Sequence, residues 1–235
     1  LPDRVAHFFR GLGVPIYEGY GLTETSAAAT VNGPGCQRIG TVGRPIAGTG
    51  VRISDSGEVQ LSGPLIFSHY WNNEQATDEV LRDGWFSTGD LGSLDADGYL
   101  TITGRKKELI VTAGGKNVAP GPLEDAMRAH RLVGHAVVIG EGRRFVSALV
   151  AVDEAELAHW ARENDRVGRT PEELVEDPAL RAEIQYAVDE ANALVSHAEG
   201  IKRFAVLPRD FTEAGGELTP TLKIKRHHVD EKYAA

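Results

Sequence analysis

Apolar residues follow two rhythms along the chain, and the rhythm changes near residue 104. Val5, Phe8, Phe9 and Leu12 recur three or four positions apart, which predicts a helix over 4–12 stopped by Gly13, and Val14 to Tyr17 then reads as a short buried strand. From Gly40 to Thr103 the pattern shortens to brief β-like runs, broken by turn residues at Pro45, Gly48, Gly50, Ser56-Gly57, Asp83-Gly84 and Asp97-Gly98, with one helical interlude near Glu74 to Leu81. Short strands punctuated in this way predict a small β-barrel or sandwich.

Beyond the change, the elements lengthen. A short helix is predicted over Pro120 to Ala129, then a hairpin of Val133 to Gly140 and Phe145 to Val152 turning about Gly142. Asp153 is an N-cap for a helix to about Asn164. Asp177-Pro178 starts a long helix, with Leu180, Ile184, Val188, Ala191 and Val195 on one face, ending at Gly200. Ile201 to Leu207 is a last strand, and the tail ends in a short helix. The fold class expected is α+β: a β-rich subdomain followed by a compact α+β unit.

The two halves meet at Gly104-Arg105-Lys106-Lys107-Glu108-Leu109-Ile110-Val111-Thr112-Ala113-Gly114-Gly115-Lys116-Asn117. Four charged residues between two β-branched runs, followed by a glycine pair, imply a hydrated pivot, a short strand and a mobile loop. Taken alone, the stretch reads as a charged hairpin corner.

Composition narrows the chemistry. At 235 residues with 41% apolar content the chain can bury a core, as one large domain or two small ones. A net charge of −9 disfavours DNA or RNA as the main partner. Cys36 is a lone cysteine, which rules out an internal disulfide, and no signal peptide is legible, so a reducing cytoplasmic setting is expected. No apolar run approaches the roughly 20 residues of a membrane span, while peripheral membrane contact stays open. The chain holds 18 Arg and 7 Lys, yet Lys106, Lys107, Lys116, Lys223 and Lys225 gather in two short stretches. A compact ammonium suits a site that reaches for a single oxygen, whereas a guanidinium is a planar fork.

Three loops carry candidate chemistry. Gly19-Tyr20-Gly21-Leu22-Thr23-Glu24-Thr25-Ser26 can present backbone N–H groups and a metal-seeking carboxylate to phosphates. Ser93-x-Asp95-x-Asp97-Gly98 opens like a calcium loop, but Gly104 stands where a bidentate glutamate is needed, so it reads as a hairpin turn. Leu218-Thr219-Pro220-Thr221-Leu222-Lys223-Ile224-Lys225-Arg226 is a proline-stiffened basic loop. The eight histidines show no metal-ligand spacing.

Taken together and in order, Tyr20-Gly21-Leu22-Thr23-Glu24, Ser87-Thr88-Gly89-Asp90, Gly104-Arg105-Lys106-Lys107-Glu108-Leu109-Ile110 and Thr219-Pro220-Thr221-Leu222-Lys223 resemble the adenylate-forming enzymes, which include acyl-CoA synthetases, luciferase and peptide-synthetase adenylation domains. The tail and the Thr-Ala-Gly-Gly-Lys-Asn-Val loop are most similar to the long-chain fatty acyl-CoA synthetase branch. The resemblance implies residues 1–103 as the C-terminal part of an α/β large domain, 104–107 as a hinge, and 108–235 as a mobile lid. It implies ATP, Mg²⁺, CoA and a fatty acid as ligands, with acyl-adenylate formed first and acyl-CoA second. The family's phosphate loop is not in these 235 residues, so the chain is expected to be an inactive piece on its own, completed by an N-terminal part of the same enzyme.

By that resemblance, Tyr20 stacks on adenine beside the Gly19 backbone, Thr23 touches the α-phosphate, and Glu24 carries Mg²⁺. Asp90 takes both ribose hydroxyls, and Arg105 makes a second ribose contact. Lys107 is the pivot, Gly114 and Gly115 line the pantetheine path, and Lys223 bridges the carboxylate and the α-phosphate. Several relatives have a lysine where this chain has Val111, so no side chain is assigned to the thioester step there. Two alternatives stay open: an adenylation domain that loads a carrier protein, and a non-catalytic nucleotide-binding module.

Overall fold

The computed structural model describes residues 3–233, which divide into two compact units between Glu108 and Leu109. In the first, α1 (Asp3–Gly11) is the predicted N-terminal helix. The strand predicted over Val14 to Tyr17 does not form: Val14 and Tyr17 are exposed, and the Ile16 carbonyl accepts a bond from Gln37 Nε2 at 2.7 Å where a neighbouring strand would sit. An apolar run alone cannot make a strand, because its backbone groups need a pairing edge.

Next come β1 (Gly19–Gly21), a 3₁₀ turn over Thr23–Thr25, β2 (Ala28–Val31) and β3 (Arg44–Pro45), an antiparallel sheet in the order β1-β2-β3. The β-rich segment then runs through β4 (Gly50–Ile53), β5 (Glu58–Ser62), α2 (Glu74–Val80), β6 (Leu81–Arg82), β7 (Trp85–Leu94) and β8 (Leu100–Arg105). These strands make a sheet in the order β4-β5-β7-β6, with β8 also on β7. Strand β7 is long enough to pair with three strands: with β6 at Trp85 and Phe86, with β5 from Phe86 to Leu91, and with β8 from Asp90 onward. Ala29, Val59, Leu61, Phe86 and Leu100 form the buried core here. In the β7–β8 turn, Asp95 accepts from the Asp97 and Tyr99 N–H groups, both at 2.9 Å, and Arg38 pairs with Asp95 and Asp97. Those carboxylates serve the hairpin.

The second unit opens with β9 (Ile110–Val111), β10 (Asn117–Val118), α3 (Pro120–Arg128), β11 (Val133–Ile139) and β12 (Val146–Val152). It continues with α4 (Glu154–Glu163), α5 (Pro171–Leu174), α6 (Pro178–Asn192), β13 (Ile201–Leu207) and α7 (Arg226–Lys232). Strand β12 pairs antiparallel with β11 and parallel with β13. The period-2 alternation sorts the sheet's two faces: Ala136, Val138, Ala148, Val150 and Val152 join α3, α4 and α6 in one core, while Val137, Leu149 and Ala151 meet Phe211, Leu218 and Val229 in another. Both predicted aspartate caps are in place, Asp153 Oδ1 accepting from Glu156 N and Asp177 Oδ1 from Ala179 N, each at 2.9 Å. Helix α6 ends at Asn192, short of the predicted Gly200. The Asn192 amide turns back to bond both the N–H and the carbonyl of Ile201, at 2.7 and 3.0 Å, which ties the end of the helix to the start of β13.

Among the described residues, no helix is long and apolar enough to cross a membrane.

Candidate active site

The first unit contains an open cleft of about 420 Å³ lined by Tyr20, Leu22, Asp90, Ile102, Arg105 and Glu108, with the backbone at Gly21 and Gly104. Pairing of β7 with β8 sets Asp90 opposite Arg105, and Arg105 Nε lies 3.1 Å from Asp90 Oδ1. Tyr20 on β1, 70 positions earlier, donates its hydroxyl to Asp90 Oδ2 at 2.5 Å. Burial first, and that hydrogen bond second, push the Tyr20 phenol well above its ordinary 10.0, so it stays a donor. Asp90 is 4% exposed, its carboxylate clamped between a phenol and a guanidinium.

A residue that the sequence reading missed braces this turn. Glu58 on β5, 8% exposed, accepts from Gly89 N at 2.9 Å through Oε1 and from Lys106 Nζ at 2.9 Å through Oε2. Its position in an alternating strand gave no hint of a brace.

Thr23 and Glu24 lie in the one-turn 3₁₀ segment after β1. Buried Thr25 staples the segment: the Leu22 N–H donates to its hydroxyl oxygen at 2.8 Å, and that hydroxyl sits 2.6 Å from the Ala27 carbonyl. At Gly21 the chain passes so close to itself that a Cβ would meet Ala27 O at 2.0 Å, so only glycine fits. Glu24 is half-buried, and its Oε1 accepts from the Tyr70 hydroxyl at 2.8 Å. Burial, and then Glu24 itself, push the Tyr70 phenol up to about 12.

Mg²⁺ keeps most of its shell as water and phosphate oxygens and asks a protein for only one or two carboxylates. Glu24, with one oxygen engaged by Tyr70, fits that demand. Among the described residues no three His, Cys, Asp or Glu side chains gather as a metal cluster.

Lys107 is exposed in the 3₁₀ turn Lys106–Glu108. The second unit carries the remaining candidates. Gly114 and Gly115 form the exposed turn between β9 and β10, closed by Gly115 N on Thr112 O at 2.8 Å and Lys116 N on Thr112 Oγ1 at 3.1 Å. Gly115 has φ +74°, which a residue with a Cβ rarely adopts. Lys223 is exposed in a loop closed on Thr219, with Thr219 N donating to Lys223 O at 2.8 Å and Lys223 N to Thr219 Oγ1 at 3.0 Å. Among the described residues its ammonium has no ion-pair partner.

The fold therefore gathers Tyr20, Asp90 and Arg105 at one cleft, with Thr23 and Glu24 on the turn that follows β1. It holds Lys223 and the glycine pair on separate loops of the other unit.

Residues 107–235 match the AMP-binding enzyme C-terminal domain, and residues 1–71 match the AMP-binding enzyme family. The long-chain-fatty-acid–CoA ligase FadD15 of Mycobacterium tuberculosis is 54% identical over 236 residues, a span covering 100% of this chain and 39% of that protein. Human long-chain-fatty-acid–CoA ligase ACSBG1 is 39% identical over 251 residues, covering 97% of this chain and 35% of its own length. Among solved structures, O-succinylbenzoate coenzyme A synthetase (MenE) from Bacillus subtilis, in complex with ATP and magnesium ion, shares the fold at a TM-score of 0.71 and 22% identity, covering 98% of this chain and 44% of that one. The chain thus spans between a third and two fifths of the length of these curated relatives. Since the C-terminal-domain match alone takes in more than half of the sequence, the chain belongs to the AMP-binding enzyme family.

Proposed function

We propose that this chain is the nucleotide-clamping and lid portion of an AMP-forming ligase that joins long-chain fatty acids to CoA, working with the N-terminal sequence that completes the fold in its relatives. The observation that carries the reading is the Tyr20–Asp90–Arg105 cluster on an open cleft. A carboxylate oxygen accepts more than one bond, so Asp90, fixed by Tyr20 and Arg105, retains acceptor capacity for both ribose hydroxyls of a nucleotide. The Tyr20 ring offers a face for adenine beside the Gly19 backbone. With Tyr20 and Arg105 holding the acceptor in place, little entropy remains to be lost on binding.

In the first reaction a carboxylate oxygen of the fatty acid attacks the α-phosphorus of ATP. The bond to the bridging oxygen breaks, and pyrophosphate leaves with the electron pair. The attacking and leaving oxygens and the α-phosphate all carry negative charge, so a cation placed between carboxylate and phosphate lowers the barrier. Lys223 is that cation, with the Thr23 hydroxyl donating to the α-phosphate. Mg²⁺ bound through Glu24 would supply further neutralisation of phosphate charge. In the second reaction the CoA sulfur, deprotonated to the thiolate, attacks the acyl carbonyl carbon, the bond from that carbon to the phosphate oxygen breaks, and AMP leaves with the electron pair. The Gly114-Gly115 turn lines the pantetheine path, and Lys107 is the pivot about which the C-terminal unit moves between the two steps.

The complete enzyme, this chain joined to that N-terminal sequence, should convert ATP, a long-chain fatty acid and CoA to AMP, pyrophosphate and acyl-CoA. Appearance of ADP, or transfer to a carrier-protein phosphopantetheine in place of CoA, would overturn the reading.

A further inference from the structure

Tyr70 is outside every motif singled out in the sequence, yet the segment that carries it grips Glu24 twice. Phe67 N donates to the Glu24 carbonyl at 2.8 Å, and Tyr70 OH donates to the Glu24 carboxylate at 2.8 Å. The segment is itself anchored. Tyr70 N donates to Thr77 Oγ1 at 2.9 Å, and Thr77 Oγ1 in turn donates to the Asn73 carbonyl at 2.9 Å at the start of α2. The Tyr70 ring lies 4.6 Å from the Phe67 ring, centroid to centroid, and Phe67 packs edge-on against Phe86, which is 2% exposed in the core. A phenol pinned at its backbone and along its ring has little freedom to leave its acceptor.

We propose that Tyr70 is a positioning residue for Glu24: by occupying Oε1, its hydroxyl fixes the carboxylate rotamer and presents Oε2 to the divalent cation that accompanies the nucleotide. The inference rests on the reading of Glu24 as the metal carboxylate. An unheld glutamate must be ordered when the cation arrives, and hydrogen bonds to ligating carboxylates typically govern metal affinity by about 10- to 100-fold. Tyr70→Phe deletes the donor oxygen and keeps the ring that packs on Phe67.

The test uses the complete enzyme and reads metal affinity in two ways. The first is the half-saturating Mg²⁺ concentration of acyl-adenylate formation at saturating ATP. The second needs no turnover: Mn²⁺ binding, followed by electron paramagnetic resonance, in the presence of a non-hydrolysable ATP analogue. Tyr70→Phe should raise both midpoints about tenfold or more and leave the KM for the fatty acid unchanged. Both midpoints are independent of the fraction of protein that is folded, so a loss of stability cannot imitate the result. Glu24→Gln run alongside separates two failures. If Glu24→Gln shifts both midpoints and Tyr70→Phe shifts neither, the positioning role is wrong and Glu24 keeps its assignment. If Glu24→Gln shifts neither, the metal role of Glu24 is wrong and the inference falls with it.

Discussion

The loop that carries Lys223 is tied down just beyond its C-terminal end by a buried ion pair, whose removal has a calculable effect. Glu124 on α3, 5% exposed, accepts from Val138 N at 2.8 Å and from Arg226 Nη1 at 2.6 Å through Oε1, while its Oε2 takes Arg226 Nη2. Glu124→Leu would leave the Val138 N–H, on a residue 3% exposed, without its acceptor, at a cost of about 1–3 kcal/mol. Arg226, with a side chain 29% exposed, can partly rehydrate, so the lost pair adds less than the roughly 3–5 kcal/mol typical of a fully buried one. The sum is roughly 2–4 kcal/mol, or about 30- to 1,000-fold in the exchange rate of the Val138 amide and its β11 neighbours under conditions where exchange reports stability. Arg226→Met should destabilise by a similar amount, because it leaves a buried carboxylate with one donor. The double variant should fall short of the sum by more than about 1 kcal/mol, since either single change already breaks the Glu124–Arg226 contact and the second change cannot break it again. Amide exchange by NMR on the 235-residue chain decides it. Additive effects, or a loss below about 0.5 kcal/mol for Glu124→Leu, would refute the reasoning.

Acid should weaken the anchor of the terminal helix. Burial pushes the Glu217 carboxyl up, but hydrogen bonds from Lys232 Nζ and from the backbone N–H groups of Glu217 and Thr212 outweigh it and hold the pKa at about 2, against an ordinary 4.5. A lowered folded pKa means that the contribution, up to about 3 kcal/mol, is fully present above pH 4.5 and disappears as pH falls toward 2. The stability gap between the native chain and Glu217→Gln, measured by urea unfolding, should therefore close across that window, and a constant gap would contradict the pairing. Gly21→Ala drives a Cβ into the Ala27 carbonyl and should cost about 2 kcal/mol or more while weakening AMP binding to the complete enzyme; unchanged calorimetric affinity would refute the close-approach argument. Lys107→Pro fixes φ near −65° at the proposed pivot and should spare adenylation while slowing thioester formation. Lys107→Ala leaves the dihedrals free and should slow it far less, so equal single-turnover losses would make Lys107 a charge contact.

What was legible in the sequence was local. The caps at Asp153 and Asp177 could be read because an N-cap acts within three residues of itself, and the hairpin about Gly142 because alternation and a turn residue are neighbours in sequence. The Thr170-Pro-Glu-Glu173 capping box that starts α5 is a signal of the same local kind. Val14 to Tyr17 failed because strand formation depends on a pairing edge that periodicity does not report. At the site, family motifs pointed to Tyr20, Asp90 and Arg105 separately, but the bond between Tyr20 and Asp90 spans 70 positions and joins two different sheets, so only the fold brings them together. Glu58 and Tyr70 escaped for a related reason. A carboxylate in an alternating strand and a tyrosine before an asparagine pair look like surface residues until their partners, Gly89, Lys106 and Glu24, are folded against them.

Under the proposed function this chain serves two successive reactions at one nucleotide, with Lys223 acting only in the first. Single-turnover measurement of both half-reactions in the complete enzyme bearing Lys223→Ala tests it most directly. The predicted result is loss of acyl-adenylate formation from ATP and fatty acid by roughly 100-fold or more, with conversion of supplied acyl-adenylate and CoA to thioester largely intact. Equal loss in both half-reactions, or none in the first, would contradict the account.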